Sequence, residues 1–190
     1  MKIVDRLFYN GAKEKITRLG IGMFDEVIAM PERTPLLIME ETDSNSGAVV
    51  REHIDRAFKK AGHWTKIQSG GIDWRKTRRY NGIEVAIGVE VQVSARSDLI
   101  VRDIIHIRKA IEEGSIDVGV IIVPSDRTAK FLTDRCPTLR ETTSAIDELR
   151  SQHLPLVVLA IEHDGPGGCG GRHRRKAGFW TLGADLLRGV

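Results

Sequence analysis

Apolar residues recur along the chain with spacings that predict alternating helices and strands. In residues 46–61 and 98–113 they return every three or four positions, the spacing of an amphipathic helix. The apolar runs 116–123 and 154–162 are typical of strands covered on both faces. We further expect a strand over 1–8, strands over 72–80 and 83–93, and helices over 22–30, 125–134 and 143–152. This alternation predicts an α/β (α+β) fold with a mixed central β-sheet flanked by helices.

The two central strands are predicted to form a hairpin around Asn81-Gly82. Asn-Gly is the preferred sequence of a two-residue turn that needs positive φ at both positions. Residues whose numbers sum to 163 then face each other, so Asp73 lies opposite Glu90, with Cβ atoms about 4.5–5.5 Å apart. Gln92 projects from the same face, two residues further along the strand.

Two facing carboxylates repel each other unless a cation lies between them. Hard divalent cations bind carboxylate oxygens, so Asp73 and Glu90 are candidate metal ligands, with the Val91 carbonyl as a third. A solvated face on which the two charges avoid each other is an equally good interpretation from the residues alone. Glu84 lies opposite Arg79 in the same register, an ordinary cross-strand ion pair.

Composition fits one globular domain, because 41% of the 190 residues are hydrophobic and 29% are charged. No apolar run approaches the roughly 20 residues of a membrane span or resembles a signal peptide. Two cysteines are too few for a disulfide framework. We therefore expect a cytoplasmic protein without membrane contact, with a folded domain over 1–163 and a glycine-rich basic tail over 164–190.

Positive charge is concentrated in two short segments. Residues 172–176 carry four positive charges, more than the net charge of +3. A second segment, which we call the hairpin basic segment, contains Arg75, Lys76, Arg78 and Arg79. Such segments are typical of contact with a polyanion, although two solvated loops explain the charge equally well.

The residues around the hairpin resemble a known family. Asp73, GVEVQV at 88–93, RSDL at 96–99 and IDVGV at 116–120 resemble the BglII/BstYI type II restriction endonucleases of the PD-(D/E)XK nuclease superfamily. The resemblance implies that Asp73 and Glu90 bind the metal ion, and that Gln92 stands where most of the superfamily has lysine. This chain departs from the pattern in its longer stretch between Asp73 and Glu90, and the tail after 164 has no counterpart in the resemblance.

The resemblance implies Mg²⁺-dependent hydrolysis of phosphodiester bonds in double-stranded DNA, by a homodimer acting on a short palindrome. It further implies 5′-phosphate ends, a GATC-centred site and 5′ overhangs. Gln92 has no titratable proton near neutrality, so we expect it to orient the attacking water. The alternatives are a PD-(D/E)XK nuclease of repair or modification-dependent cleavage, and a DNA-binding module without catalytic activity.

Candidate DNA-reading residues flank the expected site. Arginine can bind guanine bidentately and serine can donate or accept, although the same serines suit helix N-caps. The hairpin basic segment is expected to follow phosphates. The candidate DNA-binding residues are Arg75, Lys76, Arg78, Arg79, Ser94, Arg96, Ser97, Ser125, Asp126 and Arg127.

Two further polar side chains are interpreted as structural. Glu52, on the helix over 46–61, is more typical of a surface carboxylate than of a remote metal ligand. His106, like His53, His63 and His153, has no carboxylate partner visible in the sequence and is expected at the surface or in packing.

Overall fold

Eight strands and six helices make up the described part of the chain. A computed structural model of the protein describes residues 1–19, 22–67, 71–94, 98–133 and 135–167. In chain order the elements are β1 (Lys2–Phe8), α1 (Ala12–Leu19), α2 (Met23–Glu32), β2 (Leu37–Ile38), α3 (Gly47–Ala61), β3 (Thr65–Lys66), β4 (Trp74–Tyr80), β5 (Ile83–Val91), α4 (Leu99–Glu112), β6 (Val118–Pro124), α5 (Asp126–Ala129), α6 (Leu139–Glu148), β7 (Leu156–Glu162) and β8 (Gly165–Pro166).

Six of the strands form one mixed sheet in the order β1-β7-β6-β5-β4-β3. The central strands β5, β6 and β7 are parallel, whereas β1, β3 and β4 pair antiparallel with their neighbours. Helices α1 to α3 contribute to the hydrophobic cluster on one face of the sheet, and α4 and α6 to the cluster on the other. This confirms the predicted mixed sheet flanked by helices.

The two hydrophobic cores use alternate residues of the central strands. Ile122 of β6 packs with Phe58 and Trp74 on the α3 side, where the two aromatic rings stack with centroids 5.2 Å apart. Ile121 packs on the α4 side. Both residues are fully buried, which explains why the strand reads as an uninterrupted apolar run.

The central hairpin has the predicted turn and register. Asn81 and Gly82 have φ angles of 49° and 81°, the positive values that a two-residue turn requires. Tyr80 pairs with Ile83, Arg79 with Glu84 and, at the far end, Trp74 with Val89.

Three predicted helix boundaries were wrong. Helix α2 was predicted to end before Pro31 but continues to Glu32, because a proline in the last turn removes only one backbone donor. Helix α6 begins at Leu139 instead of 143, since Thr138 and Glu141 form a capping box. The helix predicted over 125–134 is the single turn of α5.

The glycine-rich tail was predicted to begin at 164, but residues 164–167 are bound to the folded domain. The Asp164 carboxylate accepts hydrogen bonds from the Met1 amino group and the Leu36 amide, both at 2.8 Å. Strand β8 then pairs in parallel with β2. Residues 168–190, which contain the basic segment 172–176, lie outside the described residues. Within the described part, no helix is long and apolar enough to cross a membrane.

Helix α4 packs directly on β6 at Gly119. A Cβ atom at this position would come 2.3 Å from Cγ2 of Ile107 and 3.0 Å from Cδ2 of Leu156. Glycine at this position therefore determines how closely α4 approaches the sheet. It also determines where the polar side chains near Ile107 lie relative to the sheet.

We predict that Gly119→Ala destabilises the fold. The added methyl group overpacks the α4 contact, which costs about 1–3 kcal/mol and lowers Tm by several degrees, at about 2–4 °C per kcal/mol. Thermal unfolding followed by circular dichroism measures the change. A Tm equal to that of the wild type would show that α4 does not depend on this close approach.

Candidate active site

Asp73 and Glu90 meet at the end of the hairpin. Glu90 lies near the carboxyl end of β5, on the sheet face covered by α4, and is 4% exposed. Asp73 immediately precedes β4, and the β4–β5 register continues to place it opposite Glu90. The Val91 amide donates a hydrogen bond of 2.9 Å to Oδ2 of Asp73, which fixes this carboxylate against β5.

Glu90 is destabilised as an anion. Burial, followed by the Asp73 carboxylate, raises the pKa of Glu90 from 4.5 to about 10. Its Oε1 atom is buried and has no hydrogen-bond partner in the described structure, and the same holds for Nε2 of Gln92. These two buried atoms, Glu90 Oε1 and Gln92 Nε2, are therefore open to a further polar or charged partner.

Arg51 of α3 approaches the carboxylate pair from the other side. Its guanidinium lies 2.6 Å from Oδ1 of Asp73 and also donates to the Val91 carbonyl and to Asp55. The Asp73 carboxylate and the Val91 carbonyl are two of the groups predicted to bind a metal ion. Sequence reasoning missed Arg51, since nothing in the helical pattern shows which residue reaches the strand end.

Helix α4 brings two more polar groups to Glu90. Asp103 is 3% exposed, and Nδ1 of His106 lies 3.8 Å from Oε1 of Glu90. Ligand atoms of the three residues all lie within 4.8 Å of one another. The interpretation of His106 as a residue without a carboxylate partner was therefore wrong.

A signal for the Asp103 position exists in the sequence. The residue falls within the apolar stripe of α4, between Ile100 and Ile107, where a carboxylate would be buried. Burial raises the pKa of Asp103, although the nearby Arg102 guanidinium opposes the shift. Acidic side chains are rarely buried without a partner, so an acid in such a stripe is a candidate for a functional site.

The donor set fits a divalent cation. Carboxylate oxygens of Glu90 on β5 and Asp103 on α4 lie with an imidazole nitrogen of His106 within 4.8 Å of one another, and Oε1 of Glu90 has no hydrogen-bond partner in the described structure. Asp73, just before β4, faces Glu90 from the neighbouring strand. Glu52, by contrast, is 63% exposed and forms a surface ion pair with Arg56, as expected.

The hairpin basic segment divides between the two faces of the sheet. Lys76 is 5% exposed, pairs with Glu26 and lies 5.6 Å from the Trp64 ring centroid, while Arg78 also pairs with Glu26. Both side chains thus pack towards α2, away from the Asp73–Glu90 face. The prediction that Lys76 contacts DNA is corrected: alternation along β4 turns it into the protein, where it stabilises the hairpin.

The remaining DNA candidates that the structure describes follow the ends of β5 and β6. Ser125 caps α5 by accepting a hydrogen bond from the Thr128 amide, which is the N-cap role considered from the sequence. Arg127 pairs with Glu40 and Glu162. Asp126 is exposed and Ser94 is half-buried, whereas Arg96 and Ser97 lie outside the described residues.

A comparison with protein families decides which of the possible chemistries applies. The family model described as restriction endonuclease BglII/BglIII matches residues 7–161, a range that contains β4, β5, α4 and every residue of the cluster. The chain belongs to the BglII restriction endonuclease family. No curated relative matches the chain.

Family membership identifies the general activity. A BglII-type restriction endonuclease is a site-specific deoxyribonuclease, so the protein acts on DNA. Restriction endonucleases generally use a divalent metal ion, which agrees with the donor set at the end of β5.

We predict that Arg51→Met destabilises the metal-free protein. The substitution keeps the aliphatic stem but leaves Asp73 without its buried cationic partner, at a cost of about 2–4 kcal/mol, which lowers Tm by roughly 5–15 °C. Added Mg²⁺ should recover part of the loss, since a cation can replace the guanidinium. Thermal melts with EDTA and with Mg²⁺ measure both effects.

Arg56→Met is the matched control. It removes an exposed i,i+4 ion pair from the same helix and should cost less than about 1 kcal/mol. If both variants lower Tm equally, Arg51 has no special role at the carboxylate pair.

We also predict that Glu90 makes the metal-free protein less stable as pH rises. The folded state keeps the Glu90 proton up to about pH 10, whereas the unfolded chain loses it near 4.5, so unfolding becomes easier between these values. The slope is at most about 1.4 kcal/mol per pH unit. Glu90→Gln should flatten it and raise Tm at pH 7 in EDTA.

Melts between pH 5 and 8 measure this slope. Glu84→Gln, an exposed position on the same strand, should leave the slope unchanged. An identical pH dependence in the wild type and in Glu90→Gln would mean that Glu90 is ionised without a metal.

Proposed function

We propose that the protein is a Mg²⁺-dependent type II restriction endonuclease that hydrolyses double-stranded DNA at a short palindrome. The observation that carries the proposal is the facing pair of the half-buried Asp73 and the buried Glu90 at the end of β5, in a member of this family. Two facing carboxylates, of which the buried Glu90 has an unpartnered oxygen in the described structure, are the kind of ligands that a hard divalent cation prefers.

Asp73, Glu90 and the Val91 carbonyl would hold the ion. When bound, it supplies an activated water and offsets the charge on the phosphate and on the leaving oxygen. Because Arg51 bonds both Asp73 and the Val91 carbonyl, its guanidinium must shift before these atoms can turn to the ion.

Gln92 is the third catalytic residue in this proposal. Its amide is 4% exposed, and Nε2 is a buried donor without a partner in the described structure. An amide donates and accepts hydrogen bonds but does not titrate near neutrality, so Gln92 orients the attacking water and does not take its proton.

The proposed DNA surface lies on the Asp73–Glu90 side of the sheet. Arg75 and Arg79 alternate with Lys76 and Arg78 along β4, and therefore project from the face of Asp73. Phosphate contacts from these arginines would fix the position of the protein on the duplex but would not select a base sequence. We assign base contacts to the segment after β5, at Ser94, Arg96 and Ser97. Asp126 and Arg127, in the segment after β6, are further candidates for base contacts.

A homodimer is proposed on symmetry grounds. One active centre cuts one strand, and a twofold enzyme places a second centre on the other strand of a palindrome. We extend the proposal to cleavage in the cytoplasm at a GATC-centred site, with 5′ overhangs and 5′-phosphate ends.

Asp73→Asn and Glu90→Ala should each reduce cleavage by at least roughly 100-fold while DNA binding in Ca²⁺ or EDTA remains, because they remove metal ligands and not phosphate contacts. The assay is digestion of a panel of plasmid and phage DNA, unmethylated and methylated, with sequencing of the ends. The wild type should give discrete fragments with one shared terminus, and only with Mg²⁺.

Glu84→Gln is the matched control and should cut like the wild type. If either variant cuts as fully as the wild type, the substituted residue has no catalytic role. Tight binding by the wild type without cleavage on any substrate would favour a DNA-binding module instead.

A further inference from the structure

Helix α4 brings two additional potential ligands to the proposed centre. Asp103 and His106 lie three residues apart and therefore share one side of the helix. The ligand atoms of Glu90, Asp103 and His106 lie within 4.8 Å of one another, and the Glu90 Oε1 to His106 Nδ1 distance is 3.8 Å. Two ligands about 2.1 Å from a common ion, at an angle of roughly 90–130°, are about 3–4 Å apart.

A buried atom without a partner points into this cluster. Glu90 is 96% buried, and its Oε1 accepts no hydrogen bond in the described structure. The 3.8 Å separation from His106 is too long for a hydrogen bond. Since a buried carboxylate oxygen rarely stays unsatisfied, this geometry leaves a place for a cation.

Nearby arginines do not fill that place. The Arg51 guanidinium is engaged by Asp73, Asp55 and the Val91 carbonyl. Arg102 lies 3.5 Å from Oδ1 of Asp103, but its own side chain is 56% exposed and can swing into solvent. Neither arginine thus contacts Glu90 Oε1, which faces α4 beside the His106 ring.

We propose that Asp103 and His106 form, together with Glu90, a divalent-cation site with one nitrogen ligand. The inference rests on the proposed nuclease centre, because Glu90 is shared, but it assigns ligands on a different element. Mn²⁺, a first-row transition-metal ion, accepts one imidazole nitrogen beside carboxylate oxygens, whereas Mg²⁺ prefers oxygen ligands alone and retains water. The site therefore binds Mn²⁺ in preference to Mg²⁺.

The test uses Mn²⁺ and the full chain without a histidine tag or DNA. Electron spin echo envelope modulation of the bound Mn²⁺ should show ¹⁴N modulation from a coordinated imidazole in the wild type. His106→Gln should lose the ¹⁴N signal and bind Mn²⁺ about tenfold more weakly, with little change for Mg²⁺. Asp103→Asn should bind Mn²⁺ more weakly and keep the ¹⁴N signal.

His53→Gln is the matched control, because His53 is also a half-buried histidine on a helix. It should retain both the ¹⁴N signal and the affinity. Thermal melts establish that each variant is folded, and the wild-type spectrum tests the proposal even if a variant is not.

Mn²⁺ bound to the wild type without ¹⁴N modulation would overturn this inference, as would a signal that survives in folded His106→Gln. Neither outcome touches the proposed nuclease, which depends on cleavage by the wild type and its loss in Asp73→Asn and Glu90→Ala. Conversely, a ¹⁴N signal in a protein that cuts no DNA would support the cation site and contradict the nuclease.

Discussion

The rest of the site depends on the burial of Glu90 beside Asp73. Two carboxylates in a poorly solvated position repel each other, and a raised Glu90 pKa is the electrostatic result. Such an arrangement persists in a folded protein only if surrounding interactions compensate for it. Here Arg51 compensates for the charge of Asp73. Asp103 adds a third carboxylate beside Glu90 and His106 an imidazole, so the whole arrangement is suited to accept a divalent cation.

The sheet holds the carboxylates together by simple geometry. A two-residue turn sets the β4–β5 register, and β5 is held in turn by parallel pairing with β6. Because α4 packs against Gly119, the polar residues of this helix lie close to the end of β5. Backbone pairing thus positions Asp73 and Glu90, whereas helix packing supplies the groups around them.

This division explains what could be predicted from the sequence. Strand pairing obeys a local rule, so the Asn81-Gly82 turn was enough to place Asp73 opposite Glu90. The other groups of the site come from helices, namely Arg51, Asp103 and His106. How closely they approach the carboxylates depends on how each helix packs against the sheet, and no local sequence pattern predicts this packing. Asp103 was the accessible exception, because a carboxylate in an apolar stripe could have been recognised.

Charge clusters proved harder to interpret than registers. The hairpin basic segment looked uniform in the sequence, yet alternation along β4 turns Lys76 towards Glu26 and Trp64 in the interior. The start of α6 was missed for a similar reason, since the apolar period alone does not reveal the capping box of Thr138 and Glu141.

The most direct test of the central claim is the number of protons released when Mg²⁺ binds. Isothermal titration at pH 7, in buffers of different ionisation enthalpy, measures this number without DNA or cleavage. Since burial beside Asp73 raises the pKa of Glu90 to about 10 and a metal ligand must be deprotonated, we expect about one proton released per ion. Mg²⁺ binding without proton release would show that Glu90 is already ionised and would contradict the account.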